Sequence, residues 1–503
     1  MKKVIMSKTA ALIASLMIIS MLVPVLAFAA PKFENVTITS NGTVTGQVYV
    51  TDDVYTPGMK VPVYVYASDN MTPVGGVVYG IYTANGHYSF TTTVPSVSYD
   101  TYYFMHYGSV TEKVYYTPFN GGGGGGFPGT GNSNYDDLFK DGKDATITAD
   151  SDTVSIPADK LVDGNSLTIK NADGTSITLP IAALKLADQA KSLGVELKDL
   201  VIRVELKKLS GDAAKAVTDA VYEIGAETLA APVDFKIVAV GNGKEQQIND
   251  LGTYFKRTLP VTGSVYSDNT VGVVYNPDTK ELNFVPATFA TENGITIATL
   301  NRTSTSIYTV IQTDAASFKD LAVHWSKKEV EALAGKLVVN GTGDNMFSPN
   351  RNITRAEFAA LIVRALGLDA TGTSSDFTDV TAGQWYSGAV ATAAEAGIIT
   401  GYVDGTFKPN ATVSRSEMSA MISRALKYAG KDINLSATEV AAALAKFSDA
   451  GTLGWAKSYV ATAVSEGLIK GQSANKLAGN SLATRAEAAA IVYRFLGNVG
   501  FIN

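Results

Sequence analysis

Hydrophobic and polar positions change rhythm several times along this chain. Ala10 to Leu26 is apolar, broken only by Ser15, Ser20 and Pro24. Lys2 and Lys3 precede it, and Ala27-Phe28-Ala29 follows it. A basic start, a short apolar run and a small-x-small end predict an export signal over residues 1–29, cleaved after Ala29. From 30 to 119 the period becomes two. Gly46-Gln47-Val48-Tyr49-Val50 and Val61-Pro62-Val63-Tyr64-Val65-Tyr66 alternate, and Asp69-Asn70, Gly75-Gly76 and Asn85-Gly86 mark turns. Short alternating runs at this spacing predict a small β-sandwich. Thirteen of the 24 tyrosines lie between Tyr49 and Tyr116, where they read first as strand formers packing across a sheet.

Residues 120–136 carry neither period. Gly121 to Gly126 are consecutive glycines, followed by Phe127-Pro128-Gly129 and a polar stretch. Such a linker is a flexible coil with an end-to-end distance of roughly 20 Å, so it tethers the first domain. Over 137–315 alternation returns at Ser166–Ile169, Ser176–Leu179, Leu200–Leu206, Val233–Val240 and Thr270–Tyr275. Two stretches at helical spacing interrupt it, Ala182–Leu193 and Gly211–Ile224. The mixture predicts a β-rich α+β domain. Val273 to Phe284 reads as a hairpin around Asn276-Pro277-Asp278. The carboxylates of this stretch are scattered and suggest no catalytic constellation.

Beyond residue 316 the period is helical and the pattern repeats. Phe318-Lys319-Asp320, Phe377-Thr378-Asp379 and Phe447-Ser448-Asp449 each open a unit, and Trp325, Trp385 and Trp455, the chain's only tryptophans, follow. A helical stretch runs to Gly335, Gly397 or Gly467, and a turn comes next: Asn340-Gly341, Thr400-Gly401 or Lys470-Gly471. A second helix then starts at Thr354-Arg355-Ala356-Glu357, Ser414-Arg415-Ser416-Glu417 or Thr484-Arg485-Ala486-Glu487. From the opening Phe to this Arg the separations are 37, 38 and 38 residues. The pitch is 60 and then 70 residues, and an inserted helix near Ser436–Lys446 accounts for the difference. Such regularity marks a threefold internal repeat.

The second helix start is a capping box. The hydroxyl accepts a backbone N–H and the Glu reaches back to the cap residue, an arrangement whose loss costs about 1 kcal/mol. A cation in the first turn opposes the helix dipole, yet Arg355, Arg415 and Arg485 recur there. Helix N-termini favour anions, so these arginines predict an anion pocket; pairing with the Asp of Phe-x-Asp is the structural alternative. Phe358, Leu361, Ile362 and Ala365 give the first of these helices an apolar face. Arg364, Arg424 and Arg494 lie nine residues further on, on the other side of each helix, and read first as solvated charges, with service to a neighbouring groove as the alternative.

Composition removes most other chemistry. At 503 residues the chain predicts about three domains. Its 46% hydrophobic and 17% charged residues suit packed cores. The absence of cysteine excludes disulfides, thiolate catalysis and cysteine zinc sites, and His87, His106 and His324 leave little for a histidine cluster. No metal and no cofactor is expected. The net charge is −6, near −9 without Lys2, Lys3 and Lys8, which argues against a nucleic-acid partner. No other segment is apolar for long enough to span a bilayer, so no membrane partner is expected once the signal is removed.

The three units resemble the S-layer homology (SLH) domain family of bacterial cell-surface proteins. The Phe-x-Asp opening, the Trp, the turn from Gly401 to Pro409 and the Thr-Arg-Ala-Glu box carry the likeness. The resemblance implies repeats at 316–374, 375–444 and 445–503, forming an all-α pseudo-threefold bundle behind the two β domains. It implies non-covalent binding to secondary cell-wall polysaccharide, at a pyruvylated N-acetylmannosamine end, in the cell wall or S-layer of a Gram-positive bacterium. Carried over by motif, Arg355, Arg415 and Arg485 contact the carboxylate, and Thr354, Ser414 and Thr484 shape the pocket. Trp325, Trp385 and Trp455 wall the groove or pack on the sugar, while Asp320, Asp379 and Asp449 orient the Arg or the sugar hydroxyls. The third unit departs from the pattern, reading Gly471-Gln472-Ser473-Ala474-Asn475-Lys476-Leu477 at its turn. The resulting expectation is a non-enzymatic, wall-anchored surface protein that displays its N-terminal β domain. Residues 137–315 act as a spacer or as a lattice module pairing with its own kind. A lattice-forming S-layer protein, a wall-anchored glycan-active enzyme and an adhesin are the alternatives.

Overall fold

The structure, a computed structural model, describes seven strands between residues 32 and 115, then residues 135, 138–140, 142–292, 294–370, 372 and 376–503. The expected export signal and nearly all of the glycine-rich linker lie outside the described residues. The chain divides into two compact units, Met1–Phe127 and Pro128–Asn503.

In the first unit the strands are β1 (Lys32–Ile38), β2 (Thr43–Tyr49), β3 (Val61–Tyr66), β4 (Val78–Ala84), β5 (His87–Thr93), β6 (Tyr102–Tyr107) and β7 (Val110–Tyr115). They follow the order β1-β2-β5-β4-β3-β6-β7. Val61–Val63 of β3 pair with β4, while Tyr64–Tyr66 pair with β6. A strand that changes partner midway turns the corner of a folded sheet, and β1 and β7 at the two ends of the path come close together. The β-rich region expected there is thus one continuous antiparallel path whose two ends come together.

Among its described residues the second unit begins with fourteen strands. These are β8 (Asp144–Ala149), β9 (Thr153–Pro157), β10 (Ser166–Asn171), β11 (Ser176–Pro180), β12 (Val201–Lys208), β13 (Glu227–Thr228) and β14 (Val233–Gly241). There follow β15 (Lys244–Gln247), β16 (Asp250–Val261), β17 (Thr270–Tyr275), β18 (Leu282–Val285), β19 (Ala287–Glu292), β20 (Ile295–Ser304) and β21 (Ile307–Gln312). One sheet runs β19-β20-β16-β11-β10-β8 and the other β18-β17-β21-β14-β12-β9, with β13 and β15 at its margins. Alternating apolar positions of both sheets, among them Ile169, Leu179, Leu259, Ile202, Phe235 and Val310, meet in one core. Helices α1 (Leu186–Leu193) and α2 (Gly211–Glu223) fall where helical spacing places them. The Pro-Asp turn forms because Asn276 Oδ1 accepts the Asp278 N–H at 2.9 Å, an Asx turn.

The C-terminal region holds α3 (Lys327–Gly335), α4 (Arg355–Ala365), α5 (Ser387–Glu395), α6 (Arg415–Tyr428), α7 (Ala437–Leu444), α8 (Lys457–Ser465) and α9 (Arg485–Asn498). α7 is the inserted helix and carries a capping box of its own on Ser436 and Glu439. The residues just ahead of the three main boxes bond in a closed cycle. Ile353 donates its N–H to Ala483 at 3.0 Å, Ala483 to Val413 at 2.9 Å, and Val413 to Ile353 at 3.1 Å. Phe358, Ile422 and Val492, one from each second helix, share a single core.

That core continues into the sandwich that the two sheets of this second unit form, through Val271, Val273, Phe284 and Ile311. Hydrogen bonds cross the seam as well: the Ala287 N–H donates to the Phe501 carbonyl at 2.8 Å, and the Thr313 hydroxyl donates to the Gly335 carbonyl at 2.7 Å. The middle and C-terminal regions, read from sequence as successive domains, are one packed body.

Candidate functional site

Each repeat ties its opening to its turn. The Asp320 carboxylate accepts the N–H groups of Phe347 and Ser348 at 2.9 and 2.7 Å. Asp379 accepts Phe407 and Lys408, both at 2.8 Å, and Asp449 accepts Leu477 and Ala478 at 3.0 and 2.8 Å. The second residue of each pair has φ between 52° and 58°, a left-handed conformation that the carboxylate holds in place. The opening aromatic packs on the same turn; Phe318 and Phe347 lie 5.7 Å apart, and Phe377 and Phe407 5.4 Å. Gly401 is required there, since a Cβ would stand 2.5 Å from the Phe377 ring. The aspartates are thereby committed to turn backbone, and the Asp–Arg pairing considered from sequence does not form.

The caps form as the sequence predicts. Glu357, Glu417 and Glu487 each donate their N–H at 3.2 Å to Thr354, Ser414 and Thr484. The arginines, by contrast, leave their own repeat. Arg355 donates Nε to the Phe407 carbonyl at 2.7 Å and Nη1 to Glu417 at 2.9 Å. Arg415 donates to the Leu477 and Lys470 carbonyls, each at 2.9 Å, and to Glu487. Arg485 donates to the Phe347 and Asn340 carbonyls, each at 2.9 Å, while its Nη1 stands 3.9 Å from Glu357. The pattern is cyclic: each Arg reaches the turn of the next repeat and faces that repeat's capping-box Glu. This resolves the conflict with the helix dipole, because the charge lies among the next repeat's carbonyls.

A groove of about 220 Å³ opens where the three repeats meet. Asn340, Thr342, Arg351 and Arg364 line it from the first repeat, Trp385 from the second and Arg485 from the third. Trp385 is 65% exposed, and Trp325 and Trp455 are exposed at the equivalent places. Burial weakens the hold of Arg364 and Arg485 on their protons, but guanidinium remains charged in any protein setting. Burial opposes ionisation of Glu357, yet its bonds from Arg351 and the Thr354 N–H prevail and hold its carboxyl below the usual range. The groove thus sets three guanidiniums against one carboxylate, beside a flat indole face.

Arg364 and Arg494 are half-buried and donate to the Val338 and Leu468 carbonyls at 2.9 and 3.1 Å, and Arg424 lies 4.8 Å from the Tyr459 ring. Reading them as solvated charges is corrected: Arg364 and Arg494 bond carbonyls that follow the first helix of their own repeats, Arg424 faces a tyrosine on α8 of the next repeat, and Arg364 lines the groove. Sequence reasoning passed over Arg351, which donates to Glu357 at 2.5 and 3.2 Å. It is visible only when the repeats are compared position by position, for Ala411 and Ser481 occupy the matching places.

The S-layer homology domain family model matches residues 317–359, 376–419 and 446–489. The chain is therefore an S-layer homology domain protein with three such repeats in its C-terminal region. It is 31% identical over 387 residues to an amylopullulanase of Thermoanaerobacterium thermosulfurigenes, covering 73% of this chain and 19% of that one. It is 37% identical over 186 residues to exoglucanase XynX of Acetivibrio thermocellus, covering 36% of this chain and 16% of that one. To the surface-layer 125 kDa protein of Lysinibacillus sphaericus it is 35% identical over 179 residues, covering 35% and 14%. The chain spans less than a fifth of the length of each of these relatives. The amylopullulanase alignment is longer than the three repeats together, so it reaches into the region ahead of them. These matches mark a cell-surface protein. Among the described residues no helix is long and apolar enough to cross a membrane.

Proposed function

We propose that this chain is an exported, non-catalytic surface protein whose three repeats form a pseudo-threefold bundle and anchor it non-covalently to secondary cell-wall polysaccharide. The ligand element is an acidic sugar, best matched by a pyruvylated N-acetylmannosamine end. The groove carries this reading: Arg351, Arg364 and Arg485 surround a space open to Trp385. Guanidinium pairs with carboxylate through short, charge-assisted bonds, and an exposed indole offers an apolar face to a sugar ring. The net charge of −6 makes a cluster of three guanidiniums a local feature rather than part of a basic surface. The closed cycle of backbone bonds through Ile353, Val413 and Ala483 supports the pseudo-threefold arrangement.

The test is sedimentation of the whole protein with intact walls and with walls stripped of their secondary polysaccharide. Binding to intact walls, its loss on stripping and competition by the released polymer are expected. Equal binding to stripped walls would contradict the proposal and make peptidoglycan the ligand. The continuous core between sandwich and repeats also favours a lattice role. A rigid body anchored to the wall holds its outer face in one attitude, as an ordered array requires. Electron microscopy of the purified protein tests this through the presence or absence of ordered sheets.

A further inference from the structure

The three capping-box arginines occupy matching places in the repeats, yet their surroundings differ. Arg355 and Arg415 are 5% and 6% exposed and donate to Glu417 and Glu487. Arg485 is less buried, and its Nη1 has only the 3.9 Å approach to Glu357, beyond hydrogen-bond reach. The reason is Arg351, which takes both oxygens of Glu357. Cover differs too. The Tyr402 ring lies 4.7 Å from the Arg355 guanidinium, and its hydroxyl donates to Glu417 at 2.7 Å. Thr342 holds the position of Tyr402 in the first repeat and lines the open groove beside Arg485.

We infer that the arginines have divided roles: Arg485 receives the ligand carboxylate, Arg355 and Arg415 lock neighbouring repeats together, and Arg351 sets the division by drawing Glu357 away. The inference rests on the proposed anchoring function and assigns one site per chain where the repeat pattern offers three. A carboxylate entering the groove accepts from Arg485 Nη1, the donor with no other acceptor, with Arg364 on the same wall. Arg351 is a positioning residue. Without it Glu357 turns to Arg485 and competes with the ligand.

The experiment is calorimetric titration of the whole protein with the methyl glycoside of pyruvylated N-acetylmannosamine, with a thermal melt of each variant. One site per chain is expected. Arg485→Gln abolishes binding. Arg351→Ala weakens it about tenfold, the effect of one charge-assisted bond, with its melt unchanged, and Arg351→Lys, which still pairs with Glu357, retains it. The double variant Ala411→Arg with Tyr402→Thr reproduces the open groove around Arg355 and raises the stoichiometry to two. If Arg485→Gln fails to fold, the Arg351 and double variants decide. Two or three sites in the unaltered protein, or full affinity in Arg351→Ala, would overturn the division while leaving the anchor in place. No binding of this saccharide by a protein that still binds whole walls would overturn the acidic-sugar reading, and the division with it.

Discussion

A cation in the first turn of a helix opposes the dipole, and Arg415 shows what offsets the cost. Its guanidinium is spent on two carbonyls and a carboxylate of the following repeat, in a setting where the side chain is 7% exposed. Removing one partner of a buried pair leaves the other uncompensated. Arg415→Gln is expected to destabilise the second unit by about 3 kcal/mol, read from urea unfolding monitored by circular dichroism. An unchanged midpoint would mean that the bond is not formed. The sequence showed that the arginines recur, and it suggested an anion partner. It did not show the partner, because Glu487 lies 72 residues away and plays a second role as a capping residue. Arg351 was equally hidden; it breaks the repeat, and a search for regularity passes over the position where the units differ.

At the scale of elements, local chemistry was legible and pairing was not. The capping boxes at Thr354, Ser414 and Thr484 form as the spacing of hydroxyl and Glu predicts, and so does α7. The strand Thr270–Tyr275 matches its sequence boundaries, because six consecutive buried positions end in an Asn-Pro-Asp turn. The order of strands within the sheets was not readable. β16 pairs with β11 across 78 to 82 residues and with β20 across 35 to 54, partners set by burial rather than by any local period. Thr484→Ala leaves the Glu487 N–H without its acceptor and should cost about 1 kcal/mol. Chemical denaturation measures it, and a loss near zero would show that the Arg485 contacts alone hold the helix start.

At the scale of the whole molecule, the seam between sandwich and repeats was invisible in sequence because its contacts are remote. Tyr254 donates to Leu366 across 112 residues, and Asn503 brackets Phe289 across 214. Lys336 lies buried in this seam, its ammonium donating to the Thr270 carbonyl. Burial pushes its pKa down from 10.5 to about 8, and Asp268 only partly opposes this. Between those values the unfolded chain binds a proton that the folded one does not, so this lysine makes stability rise with pH through that window. Melting temperatures from pH 7.5 to 9.5 should therefore climb more steeply in the native protein than in Lys336→Met; identical slopes would place the lysine in solvent. Because the core is continuous, residues 128–503 should also melt in one calorimetric transition, and two separated transitions would contradict a shared core.

Anchoring through a carboxylate is tested by titration of the whole protein with purified secondary cell-wall polysaccharide, before and after mild acid has removed its pyruvate. Saturable binding to the native polymer is expected, weakened by added salt and lost with the pyruvate. Undiminished binding to the pyruvate-free polymer would contradict that anchoring, since the guanidiniums around Trp385 would then have no carboxylate to receive.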